Sequence, residues 1–472
     1  MIEMSGIPTT VVTRDGFDVI VANAFAGFGF PSEAPVTYIF PSDMFLQGSD
    51  LTPLAEHMDE MLAGLTDWKP EHEGLGMGDV ATVTLDGKDY REVYEKCNKF
   101  FLRNRWSDDL PIVPPDDDLV NWILTGTERD PQEMLGTVTP RGGVATPHSL
   151  AVCLAMAGGR PEYYPVFEAV VKAAIRPEST MQSWSSTTNS CIPVHIINGP
   201  VAKDIRLGHG YNCMGPNAAY PAGQIIGRAL RILQMTLGGA LPGTGDMAIF
   251  GGLSATNCVF AEDEENVPEG WKLWSEERGY ARGTNVVTQT LVNSMNNIYW
   301  YFGDHDNNEA TLTAVGKIMG VPNMTKLDKY NGAFKHDGTD VVNPNTNSGL
   351  VVLPPAFIKS LIESNDMTQD KLRERLWEES KLPYELMERM GYLQRAIDYV
   401  CLEVPKPGDM IPYTPTPGQI HMAFAGGSQG GHGYWMGGMG RGVAVSEEIT
   451  LPSNWDELLL DAEIDLGPVP LG

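Results

Sequence analysis

One stretch, Ser183 to Glu265, limits the folds open to this chain more than any other. It begins SWSSTTNSCIPVHIINGP, passes through the loop GHGYNCMGPN and the run AAYPAGQIIGRALRILQMTLGG, and ends ATNCVFAEDEE. The first part reads as a strand that stops at the turn Asn198-Gly199-Pro200. A glycine- and asparagine-rich loop, Gly208 to Asn217, comes next. A helix then carries Ile225, Ile226, Ala229, Leu230 and Leu233 on one side and ends at Gly238-Gly239. Strand, polar loop and helix form the common site scaffold of α/β proteins, because loop amides and a helix N-terminus converge there on a ligand.

At 472 residues the chain exceeds a single core and divides, at about 150 residues per domain, into two or three. A formal net charge of −28 argues against nucleic acid and anionic membrane as partners, which require basic patches. The first residues, MIEMSGIPTTVV, lack the basic start and apolar run of a signal peptide, and no apolar stretch reaches transmembrane length. The expectation is a cytoplasmic protein. Six cysteines, at 97, 153, 191, 213, 258 and 401, are scattered without a CxxC pair and read mostly as buried thiols.

Along the chain, GIPTTVVT and VTYIF read as strands of a parallel sheet, and Leu54, Met58, Leu62 and Leu65 fall at helical spacing. VTLDGKDY reads as a hairpin about Asp86-Gly87, followed by a helix from Tyr90 to Arg103. The proline-rich WSDDLPIVPPDDD is the expected junction between an N-terminal α/β domain, 1–105, and a large α/β domain, 106–472. In the large domain Thr146 and Pro147 start one helix and Pro161 another. NCVFAED and LVVLPP read as strands, 332–348 as a surface loop, and DMTQDKLRERLWEES as a helix capped by Asp366 or Thr368. IHMAFAGGSQGGHGYWMGGMGRGVAV reads as a strand, a glycine loop and a second strand.

The blocks DDLPIVPP, TPRGGVAT, HIINGPVAK, IGRALRILQMTLGGALPGTGDMA, VFAEDEEN, VVLPPAF with RLWEES, and IHMAFAGG together resemble the UGSC-type (seleno)proteins. That bacterial family is described by a Sec/Cys-Gly-Ser-Cys motif and is distantly similar to selenoprotein B of glycine reductase. The resemblance covers nearly the whole chain. It implies an α/β protein in which an N-terminal Rossmann-like fragment precedes a large α/β region with a parallel or mixed sheet. The chain departs from the family twice. It contains no Gly-Ser-Cys, and Pro355-Ala356-Phe357 stands where a Pro-Glu-His-like tract is expected. Either the redox motif sits on a small Rossmann-like partner subunit, making a hetero-oligomer, or this branch has lost it.

Candidate chemistry gathers on the two loops. Cys213 is the first thiol candidate, because loop amides, a following helix N-terminus and His209 all favour a thiolate; its plain alternative is a buried loop cysteine. Cys191 is the second, and reads equally as a core residue. His209 and His432 are the acid/base candidates, while His195, alternating with Val194 and Ile196, reads as structural. Asn212, Asn217, Arg228, Ser428, Gln429 and Arg441 are the candidate substrate contacts, with Arg231 beside Arg228 on the helix; the arginines could serve a carboxylate substrate, though ordinary surface or structural pairing comes first. His421, and the hard-oxygen-plus-imidazole cluster Asp304-His305-Asp306 near Glu309, are the candidate ligands of a divalent metal, against the reading of a solvated acidic turn. The glycine run 426–431 is neither GxxxxGK(S/T) nor GxGxxG, so no nucleotide is inferred from it, and the cofactor is otherwise left open. The leading expectation is an oligomeric enzyme acting on a small polar organic substrate, by thiol-linked redox chemistry or carbon–heteroatom bond cleavage. The others are a metal-dependent lyase or hydrolase and a non-catalytic scaffold subunit.

Overall fold

The structure, a computed structural model, describes chiefly residues 50–69, 82–251, 258–299, 307–320, 348–428, 431–439 and 443–469, with N-terminal pieces that include 6–14 and 37–40. Strands β1 (Val11–Arg14) and β2 (Thr37–Phe40) pair in parallel, as their composition predicts. VTLDGKDY does not form the expected hairpin. It leads into the helix Tyr90–Arg103, whose N-cap Asp89 accepts from the Glu92 amide, and the Lys96 ammonium reaches back to the Asp86 carbonyl at 2.7 Å. The cap signal in Asp89 overrides the turn signal in Asp86-Gly87. Cys97 of this helix belongs to the core of the large region, and Asn98 bonds the Ile112 amide at 2.8 Å, so the helix is packed onto the chain beyond the junction.

A small hairpin, β3 (Gly136–Val138) and β4 (Gly143–Ala145), precedes the main sheet. That sheet contains β5 (Ile192–Asn198), β6 (Val259–Ala261), β7 (Val286–Tyr299) and β8 (Gly349–Leu353). After the separate short ladder of β9 (Leu382–Pro383) and β10 (Met410–Ile411) come its last strands, β11 (His421–Phe424), β12 (His432–Gly438) and β13 (Val445–Glu448). The order is β11-β8-β12-β7-β5-β6, with β13 beside β7. β5 with β6 and β8 with β11 are parallel, whereas β7 and β12 run antiparallel to their neighbours, so the sheet is mixed. β7, which the sequence patterns do not single out, is the spine. Its buried Thr288 pairs with Ser446 at 2.9 Å and its buried Gln289 with His195 at 2.9 Å, so a run that looks too polar for a core strand is satisfied inside one.

The sheet curls until its outer strands meet. The Asp263 amide donates to the Phe424 carbonyl at 2.7 Å, and the Phe424 amide to Glu262 Oε1 at 3.0 Å. Period-two alternation then divides the side chains. Ile192, Val194, Ile196, Phe260, Val292, Leu350, Val352, Ala423 and Met436 fill the inside of the curl. Ile197, Val259, Val287 and Leu291 pack outward on helices Pro147–Met156, Tyr164–Ile175 and Ala222–Thr236. Val351, Leu353, Met422 and Phe424 pack on helices Asn307–Gly320, Pro355–Asn365 and Gln369–Ser380. Burial on both faces explains why these strands read as nearly continuous apolar runs.

The helix starts follow their caps. Thr146 and Ser149 make a capping box with Pro147 in the first turn, and Thr368, not Asp366, caps Gln369–Ser380. Asp366 instead ends the preceding helix in a left-handed conformation. Among the described residues no helix is long and apolar enough to cross a membrane. The loop expected at 332–348 lies almost wholly outside the described residues.

Candidate functional site

The loop from Gly208 to Asn217 and the loop after Ala425 do meet. The Gly426 amide donates to the His209 carbonyl at 2.8 Å, and the hydroxyls of Tyr211 and Ser428 lie 2.9 Å apart. They meet as a packed contact: a Cβ on Gly427 would fall 2.2 Å from the Tyr211 ring. Asn217 braces its own loop, bonding the Tyr211 carbonyl and the Ala219 amide, each at 3.1 Å. Asn212 is exposed and turns the loop at φ 54°. The His209 ring packs edge-on to Tyr220. Cys213 is packed against the apolar interior of the curl, where burial pushes its thiol up to about 11 against the pull of the loop amides. At Cys213 the amides that favour a thiolate are present, and burial acts against them, which is the buried-cysteine alternative of the sequence reading.

Arg228 is likewise committed elsewhere. Its Nε and Nη2 grip the two oxygens of Asp108, each at 2.8 Å, and Nη2 also reaches the Leu110 and Pro111 carbonyls. It fastens the DDLPIVPP segment to the helix Ala222–Thr236, the structural pairing weighed against a substrate contact for this residue. His432 stacks on Tyr299, with Nδ1 3.5 Å from Asn297 Oδ1, and no hydrogen bond joins it to His209 or Cys213 among the described residues. His421 is buried beside Trp274, with ring centroids 5.3 Å apart. Among the described residues no group of three or more His, Cys, Asp and Glu side chains is placed to hold a metal ion, so the expectation of a metal at His421 finds no such group there. Asp304, His305, Asp306, Gln429 and Arg441 lie outside the described residues; nearby Glu309 pairs with Arg375 at 3.1 Å.

A cleft opens instead at the amino end of β5. Trp184 and Ser185 of the helix Met181–Ser186 line it. So do Asn189, Ser190, Cys191 and Pro193 of the chain entering β5, Arg231 and Gln234 of the helix Ala222–Thr236, and Asp246 and Ala248 of the following turn; the cavity is about 80 Å³. Open parallel sheets place sites at the carboxyl ends of their strands. Here antiparallel β7 and β12 leave no single carboxyl edge, and the cavity falls at the other end of β5.

The chemistry of the lining follows from local structure. Arg231 and Gln234 are three residues apart and share a helix face. The PGTGDMA turn folds back so that Asp246 Oδ2 takes a hydrogen bond from Arg231 Nη2 at 2.9 Å, while its Oδ1 takes the Ala248 amide at 3.0 Å. The aspartate thus orients the guanidinium and leaves Nε and Nη1 without a hydrogen-bond partner among the described residues. Gln234 is 5% exposed, and its side-chain amide makes no hydrogen bond among the described residues. Cys191 and Arg231 are singled out by sequence. Gln234 could have been found from its spacing to Arg231, whereas Asp246, Asn189, Ser185 and Ser190 carry no sequence signal that distinguishes them from loop residues.

Behind the cleft a buried network holds the Trp184 wall. Trp184 Nε1 donates to Ser179 Oγ at 3.2 Å, Gln289 Nε2 donates to the same oxygen at 2.6 Å, and Gln289 Oε1 lies 2.9 Å from His195 Nε2. Because the Gln289 amide nitrogen faces Ser179, its oxygen faces His195. That fixes the Nε2–H tautomer and leaves Nδ1 a buried acceptor without a partner among the described residues. Burial lowers the imidazole to about 4, so His195 stays neutral. At the far end of β5, Glu262 Oε2 accepts from Asn198 Nδ2 at 2.9 Å and the Trp274 amide at 3.0 Å, completing with Phe424 a strut that closes the curl. Burial pushes this carboxyl up to about 8, against three hydrogen bonds that lower it.

Comparison of the chain with protein-family models, with curated proteins and with solved structures finds no match in any of the three.

Proposed function

We propose that this chain is a subunit of an enzyme acting on a small polar organic molecule in the cleft beside β5, with Cys191 as the reacting thiol. The chemistry is thiol-linked redox or carbon–heteroatom bond cleavage. One observation carries the reading: Cys191 lines the same cleft as an Arg231–Asp246 pair and Gln234, whose side-chain amide makes no hydrogen bond among the described residues. A concave site with a few convergent polar groups and a nucleophile is the usual make-up of a catalytic pocket. Cys191 takes the role expected of Cys213, whose thiol is held up by burial. A cytoplasmic setting, where thiols stay reduced, suits this chemistry.

The likeness to UGSC-type proteins supports a thiol mechanism, and a partner bearing Gly-Ser-Cys fits a cleft whose described lining holds one cysteine. Exposed Met58, Leu62 and Leu65, on one face of the helix Met58–Thr66, offer an apolar surface consistent with such a partner. The test is to replace Cys191 and Cys213 separately by serine and follow turnover of a panel of small polar compounds by mass spectrometry. Loss with the first and retention with the second supports the reading.

A further inference from the structure

We infer that the cleft beside β5 binds the carboxylate of its ligand on the Arg231 guanidinium, and that the ligand is a small mono- or dicarboxylate. This rests on the reading of the cleft as the substrate site, and names the class of substrate. The small size follows from the cavity, which is about 80 Å³.

The recognition follows from the donors. Only one nitrogen of Arg231 is engaged by Asp246, at 2.9 Å, and its planar fork matches the two oxygens of a carboxylate. Arg231 and Asp246 are the charged side chains of the lining. Asp246 spends one oxygen on the guanidinium and the other on the Ala248 amide, so it orients the arginine rather than filling the cleft. Gln234, whose side-chain amide makes no hydrogen bond among the described residues, offers the cleft a donor and an acceptor. With the carboxylate on Arg231, the rest of a ligand this small lies along the wall that carries Cys191.

The experiment titrates malonate, and its uncharged counterpart malonamide, into the full chain by calorimetry. Malonate should bind at millimolar concentration or tighter, with malonamide weaker by about tenfold or more, and Arg231→Gln should weaken malonate by about tenfold or more. Gln234→Leu, which keeps the ion pair, should also weaken it, and decides the matter together with malonamide if Arg231→Gln does not fold. A second arm compares alkylation of Cys191 by iodoacetate and iodoacetamide. In each case the thiolate sulfur forms a bond to carbon as iodide leaves, and the thiol proton goes to solvent. Arg231→Gln should abolish the preference for iodoacetate. Malonate that fails to bind, malonamide that binds equally well, or a preference that survives Arg231→Gln overturns the inference. Failure here with turnover still lost in Cys191→Ser leaves the thiol reading standing. Malonate binding together with full turnover in Cys191→Ser leaves the binding site and removes the thiol reading.

Discussion

Replacing Glu262 by glutamine should destabilise the protein in a way that depends on pH, although the two side chains have the same shape. Three N–H donors converge on this carboxyl, from Asn198 and Trp274 on one oxygen and from Phe424 on the other. Both oxygens of a carboxyl group accept, whether ionised or protonated, but the amide nitrogen of glutamine does not. Whichever way the substituted amide is turned, at least one buried donor faces its NH₂ group, at about 1–3 kcal/mol. The opposing term is the buried charge. Its pKa rises from 4.5 to about 8 on folding, so the folded state binds the extra proton between those values. The stability contribution is therefore full below 4.5 and is lost as pH rises through 8, by at most about 5 kcal/mol. Glu262→Gln lacks that slope. Urea unfolding followed by tryptophan fluorescence should show the variant weaker than wild type by about 1–3 kcal/mol near the acid end of the window. The gap should narrow or reverse as pH approaches 8. A variant as stable as wild type at the acid end, or a gap that does not change with pH, would refute both the strut and its buried protonation.

Two further outcomes are expected of the same structure. Asp108→Asn removes the charge from a pair that is 15% and 8% exposed, leaves Arg228 uncompensated, and should cost about 3–5 kcal/mol in urea unfolding, whereas a loss below about 1 kcal/mol, the range of a surface pair, would contradict it. His195 has a folded pKa lowered from 6.5 to about 4, so the unfolded state binds more protons between those values and stability falls as pH drops through them, by about 3 kcal/mol in all. His195→Gln should remove that part of the acid dependence, measured as the difference in slope between variant and wild type.

Sequence shows the elements whose signals are local. β5, β8 and β11 are apolar because both faces are buried, and the helices after Thr146 and Thr368 announce themselves by their caps. β7 escapes because Thr288 and Gln289 are polar in composition yet buried, their partners Ser446 and His195 lying far away in the chain. The site obeys the same division. Cys191 and Arg231 are each recognisable by residue type, but only the curl of the sheet and the turn that carries Asp246 bring them to one cavity. Cys213 shows the same division from the other side: its neighbours in sequence are activating amides, while its neighbours in space are the apolar residues inside the sheet.

The most direct test of Cys191 as the reacting thiol is the turnover of Cys191→Ser beside Cys213→Ser and wild type, on small carboxylates bearing a carbon–heteroatom bond, with a dithiol reductant and any co-purifying partner present. Cys191→Ser should keep its fold and its affinity for malonate but lose turnover by about a hundredfold or more, while Cys213→Ser stays near wild type. Wild-type turnover in Cys191→Ser, or its loss only in Cys213→Ser, would contradict the assignment of the cleft beside β5 as the active site.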